Sequence, residues 1–114
     1  MNPEKKLTEL GLELPPAAAP VGAYVPAVRS GNLVFTAGQL PMVDGELTAV
    51  GKVPGDVPLE VAQTAARQAA LNALAAVAGL VGSIDCITRI VRVNVFVNSS
   101  AGFTDQAKVA NGAS

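Results

Sequence analysis

An α+β fold follows from three observations on these 114 residues. Residues 57–81 carry apolar side chains at helical spacing over an alanine-rich background. Tyr24 to Gln39 reads as two short strands around a turn. Ile87 to Asn98 alternates in the way a single long strand does. Strands on both sides of one principal helix predict a sheet packed against helices, in a single domain covering 1–114. Half of the residues are hydrophobic and 15% are charged, which is the composition of a folded chain. The mean hydropathy of +0.41 further suggests that some apolar surface is hidden against other subunits.

In chain order, residues 2–10 predict a short helix. Asn2 can cap it, Pro3 and Glu4 suit its first turn, and Gly11 stops it. Leu7 and Leu10 share one side and are expected to pack as a small lid. Leu14 to Pro20 is rich in Ala and Pro and reads as an extended arm. Tyr24 to Arg29 and Leu33 to Gln39 form the hairpin, turning at Ser30-Gly31-Asn32. Asp44-Gly45 is a second turn, with Glu46 to Val53 a short strand after it. Lys52 either faces a cleft or, as such lysines more often do, is solvated.

Asp56 and Pro58 mark the start of the main helix and Gly82 its end. Leu59, Ala66, Ala70, Ala73, Leu74, Val77 and Val81 make its inner stripe, while Glu60, Thr64, Gln68 and Asn72 fall away from it. On the long strand the odd positions, largely valine, should lie under this helix. The even positions, with Ile90, Arg92, Asn94 and Phe96, should face water or another subunit. Thr104 or Asp105 caps a last helix that runs to Ser114 with little apolar face and no stop signal, so the natural protein is expected to be longer by roughly one helix end and two strands.

Composition excludes several classes of function. Net charge is −1, with the eight Lys/Arg scattered singly, so there is no basic stripe for a phosphate backbone. One tyrosine and three phenylalanines are too few for a base-stacking platform. Without histidine the chain has no His-containing triad and no His-ligated metal. Cys86 stands alone among apolar neighbours, which suits a buried structural thiol in a reducing cytoplasm. No run of about 18 uninterrupted apolar residues marks a membrane span, and no apolar segment marks a secretory signal at the N-terminus.

Gly31-Asn32-Leu33-Val34-Phe35-Thr36-Ala37-Gly38-Gln39-Leu40-Pro41 draws these parts together. On physical grounds it is a buried strand that breaks at Gly38 and is closed by Pro41. It also strongly resembles the signature of the RidA family, also called YjgF, reactive-intermediate deaminases once labelled L-PSP endoribonucleases. Val21-Gly22-Ala23-Tyr24-Val25-Pro26 resembles that family's first strand. Gln63, Ala66, Asn72 and Ala73-Leu74 resemble its first-helix pattern, and Asp85 to Phe103 its long central strand with the following turn.

The resemblance implies a chorismate-mutase-like subunit of a trimeric barrel, with sheets facing inward and ligand clefts between subunits. It implies hydrolysis of 2-imino or enamine acids to 2-keto acids and ammonia, with no cofactor and no metal. Gly38 would offer its backbone to the ligand, Tyr24 would close the cleft, and Gln39 and Pro41 would hold the loop. Ala37 stands where the deaminase branch often has serine, so reduced or altered activity is expected. Asn111 is the counterpart of the family's asparagine after the central strand, at a longer spacing from Phe103. The arginine that pairs with a substrate carboxylate, and the acid that positions water, lie on later strands outside these residues, and Arg92 is on the wrong element to replace the arginine. The catalytic residues are therefore unassigned. Two readings stay open: a cytoplasmic 2-iminobutanoate/2-iminopropanoate-type deaminase, or a non-catalytic trimer of the same family that binds a small carboxylate or associates with proteins. Neither reading involves nucleic acid or membrane.

Overall fold

Gly31 and Asn32 form the loop of a two-residue hairpin, with Gly31 in the left-handed region (φ +58°) that its first position favours. The strands on either side are β1 (Ala27–Ser30) and β2 (Leu33–Thr36), paired antiparallel with Val28 opposite Phe35. The Arg29 guanidinium donates its Nε–H to the Gly31 carbonyl at 3.0 Å and braces the turn. The ladder begins at Ala27 and not at Tyr24, because Pro26 has no N–H to donate. Its carbonyl still accepts from Ala37 N–H at 2.8 Å.

The computed structural model describes residues 2–17 and 23–114. The end of the predicted arm at 18–20, and the Val21-Gly22 start of the family-like first strand, lie outside the described residues. The described elements are α1 (Pro3–Glu9), β1, β2, β3 (Met42–Val43), β4 (Glu46–Leu47), α2 (Leu59–Val81), a 3₁₀ turn at Ile84–Cys86 and α3 (Gln106–Ala110). Helix and strand are mixed, as an α+β fold requires. The chain divides into two compact units, Met1–Gln39 with Leu71–Val91 and Leu40–Ala70 with Arg92–Ser114.

In the first unit, α1 starts where expected. The Asn2 side-chain oxygen accepts from Lys5 N–H at 2.9 Å, and Gly11 ends the element at φ +72°. The expected lid does not form, since Leu10 is exposed and α1 buries no residue. The core of this unit is Ala27, Leu71, Ala75, Ala76, Val77 and Ile84, and Ile84 is only 1% exposed. Asn72, expected on the outer face, is buried with them. Cys86, expected to be buried, is exposed, because the chain enters a 3₁₀ turn here and Ile84 takes the inward position.

In the second unit, Asp44 (φ 52°) and Gly45 (φ 81°) join β3 to β4 through the second predicted turn. The strand predicted over Glu46 to Val53 stops at Leu47, where Thr48 bonds back to the Pro41 carbonyl through both N–H and Oγ1. Residues 51–57 then form a tight turn. The Asp56 carboxylate accepts from Lys52 N–H at 2.9 Å, and the Lys52 carbonyl accepts from both Asp56 and Val57. Lys52 itself is exposed, which fits its solvated reading. The turn sets Val53 and Val57 into a cluster with Ala62 and Val109, over which Leu59, Ala66, Val97 and Phe103 pack. Helix α3 is shorter than predicted, five residues from Gln106 to Ala110, and Asp105 precedes it without a side-chain cap.

The largest departure is Ile87 to Asn98. Among the described residues this segment joins no ladder, and only Ser99 beyond it bridges Val53, in parallel. An extended segment becomes a strand only when a neighbour accepts its backbone bonds, and among the described residues the backbone bond to Val53 comes only at its end, where the Asn98 carbonyl accepts from Val53 N–H at 2.8 Å. Alternation survives locally: Arg92 Nε–H donates to Asn94 Oδ1, two residues on, at 3.2 Å. The valine face is under the helix only in part. Val97 packs on the Val53 cluster, whereas Val91 and Val93 are exposed, as are Ile90 and Phe96, the last at 94%. Helix α2 has the length and mean hydropathy, 1.2, that a bilayer crossing needs, contrary to what the run-length rule predicts. It also carries Glu60, Arg67, Gln68 and Asn72, and 28% of its apolar stretch is buried within the protein.

Candidate functional site

The candidate loop begins where β2 runs out. Ala37 is the last residue tied to the hairpin, through the Pro26 carbonyl at 2.8 Å. The Gln39 side-chain amide turns back and donates to the Ala37 carbonyl at 3.3 Å, a bond that spans Gly38 and holds the peptide around it. Gly38 is exposed, and nothing stands within 4 Å of where its Cβ would be. Packing in this chain therefore does not demand glycine there, and a ligand or a second subunit is free to approach the backbone closely. Tyr24, two residues before Pro26, is 44% exposed. That value fits either of its readings, a wet edge aromatic or a wall of a cleft.

Asn111, the remaining candidate, is in the other compact unit. It ends α3 in helical conformation, with its N–H donated to the Ala107 carbonyl at 3.2 Å and its side chain exposed. Tyr24, Ala37, Gly38 and Gln39 thus belong to one unit and Asn111 to the other. Arg29, the cation of the hairpin, is committed by its Nε–H to Gly31.

Two surface depressions are defined away from these residues. One, of about 280 Å³, is lined by Thr48, Glu60, Val61, Thr64 and Ala65. The other is lined by Thr8, Gly11, Leu12 and Glu13. Among the described lining residues the only ionisable side chain in each is a carboxylate, Glu60 or Glu13, which repels an acid ligand, so neither competes with the loop as a site for one. Among the described residues no group of three or more His, Cys, Asp or Glu gathers to hold a metal ion. What the loop can offer is backbone and amide dipoles at an open surface, the means of orienting a carbonyl or imine rather than attacking it.

Residues 4–114 match the YjgF/chorismate-mutase-like family model, whose description also carries an endoribonuclease label. The Trypanosoma cruzi protein TCP17 is 43% identical over 108 residues, 95% of this chain and 68% of that protein. A RutC family protein of Haemophilus influenzae is 42% identical over 89 residues, and the match covers 76% of this chain and 58% of that one. Two crystal structures have the same fold. A Shewanella oneidensis protein, described as a candidate endoribonuclease, has a TM-score of 0.88 at 32% identity, covering 99% of this chain and 75% of its own. Atu1372 of Agrobacterium tumefaciens, of unknown function, has a TM-score of 0.83 at 42% identity, covering 96% and 66%.

Proposed function

This chain belongs to the YjgF/chorismate-mutase-like family, and on that premise we propose that it is part of a deaminase that hydrolyses small 2-imino or enamine acids. Water adds to the imine carbon, its proton passes to nitrogen, and ammonia leaves as the 2-keto acid forms. The substrate is already activated, so orientation and dipoles suffice, with no cofactor. The observation that carries the reading is the Ala37-Gly38-Gln39 loop: a glycine open to close approach, held by the Gln39 amide, at the end of a strand.

Ala37 supports a second reading, a small-carboxylate-binding member that does not catalyse, because a methyl group supplies no hydrogen bond at that point of the loop. The endoribonuclease label finds little support in a chain of net charge −1 without histidine. One assay separates the first two readings. A threonine dehydratase generates 2-iminobutanoate in situ, semicarbazide traps what survives, and this protein is added. Faster loss of trappable imine than in buffer is expected. Clearance at the buffer rate, with 2-ketobutanoate still shifting the loop resonances, would leave the binding reading in its place.

The proposal extends to a cytoplasmic homotrimer. Ile90, Val91, Val93 and Phe96 are each exposed to water, more apolar surface than an isolated chain ordinarily leaves uncovered. Phe96→Lys is expected to weaken self-association by about 100-fold or more, the scale of an unpaired charge at an apolar interface. Ala107→Lys, on the exposed surface of α3, should leave it unchanged. Light scattering across a dilution series measures both, and equal behaviour of the two variants would remove Ile90–Phe96 from the interface.

A further inference from the structure

We propose that α1 is a detachable strap, latched by Glu4, Ser83 and Asp85, which opens as a unit while the rest of the chain stays folded. The helix is seven residues long and buries none of them. That is well below the ~12–15 residues at which even favourable helices become marginal alone in water. Apolar packing therefore does little to hold it, and Leu10, which was placed to do so, is exposed.

What holds it against the Ile84–Cys86 turn is a ring of polar bonds. Glu4 N–H, which as a first-turn donor has no acceptor within the helix, donates to Asp85 Oδ1 at 2.9 Å. The Ser83 hydroxyl donates to Glu4 Oε1 at 2.8 Å and accepts from Asp85 N–H at 3.0 Å. One hydroxyl thus serves two carboxylate-bearing residues, and each bond places the group that makes the next. All three bonds are at the surface, where water competes for every partner. Gly11, in the left-handed region, ends the helix, and Gly11 and Leu12 N–H bond back to the Thr8 and Leu7 carbonyls, so the strap extends to Leu12. Opening bares the turn that carries Ile84, the most deeply buried large side chain among the described residues. Elements with few buried contacts and exposed bonds open at a fraction of the global unfolding free energy.

Amide hydrogen exchange at constant pH, resolved by residue, tests this on the whole chain. In the parent, Leu7 to Leu10 are expected to exchange at least 100-fold faster than the amides of Leu71 to Val77 in α2. Ser83→Ala and Asp85→Ala should each speed exchange in α1 a further three- to tenfold, the range for losing one ordinary hydrogen bond where water competes for the partners. The α2 amides should not change, and Ser83→Thr, which keeps the hydroxyl, should match the parent. If α1 and α2 amides exchange at one rate in the parent, or accelerate together in both variants, the strap does not open separately. If neither variant alters α1, the ring does not latch it.

Discussion

In protein that clears 2-iminobutanoate, Gly38→Val is expected to lower the rate by about 10²–10³ without lowering stability. The magnitude is that of losing one preorganised backbone donor or its access to the reacting group. Gly38 is well suited to the test because its surroundings separate the two effects. No atom lies within 4 Å of the new Cβ, and the backbone is not in the left-handed region. The new Cβ therefore meets no clash and the backbone no left-handed strain, and the melting temperature should stay within about 2 °C, as for surface changes generally. Activity lost at constant stability locates the approach of ligand, or of a neighbouring subunit, at this glycine. Tyr24→Phe, which keeps the ring and removes the hydroxyl, then asks whether the aromatic wall contributes a hydrogen bond. If Gly38→Val clears imine as fast as the parent, the site is not on this loop, whatever the outcome at Tyr24.

Local chemistry was legible wherever a few neighbouring residues settle a conformation. Gly31-Asn32 and Asp44-Gly45 turn where turn residues predict, because positive φ is cheap there. Asn2, Pro3 and Gly11 bound α1, and Pro58 and Gly82 bound α2, for reasons contained in the backbone of each end. What remained hidden depends on distant parts. A single helical stripe places Asn72 outside, yet Leu59–Ala70 belong to one compact unit and Leu71–Val81 to the other. In its second half the buried face still holds Val77 of the predicted stripe but widens to take in Leu71, Asn72, Ala75 and Ala76. Periodicity averaged over the whole element misses that widening. Ile87 to Asn98 has strand alternation but finds no ladder among the described residues, since pairing belongs to a partner and not to the segment. At the candidate site, Ala37 to Gln39 could be read from the glycine break and the proline after it. The Gln39 bond across Gly38 could not, because it depends on a side-chain rotamer.

Gly112→Val is expected to destabilise the second unit by ~2 kcal/mol, and the reasoning can be followed along either of two routes. Gly112 lies directly against the Gln63 backbone of α2, so an added Cβ would overlap the Gln63 carbonyl. A carbonyl within a helix cannot turn aside as a side chain can, which leaves two responses. If α3 stays docked, the overlap is relieved by small backbone shifts, and overpacking of this kind costs about 1–3 kcal/mol. If α3 lifts away, the Gln63 side-chain bond to the Lys108 carbonyl at 2.8 Å is lost, and Val109 leaves the cluster where it is 4% exposed. Burial of one valine is worth about 1.5–3 kcal/mol, so the second route costs about as much as the first. Thermal unfolding followed by circular dichroism should show a midpoint lowered by roughly 10 °C. Val109→Ala, which weakens the same docking without any overlap, should move the midpoint in the same direction. Gly55→Ala supplies the contrast: its Cβ would meet only the Ser100 side chain, whose hydroxyl at 2.8 Å can rotate away at the cost of the bond it accepts from Gly55 N–H. A Gly112→Val midpoint equal to that of the parent, with Val109→Ala lowered, would mean that α3 accommodates the methyl groups without leaving α2 and that the close approach is not required.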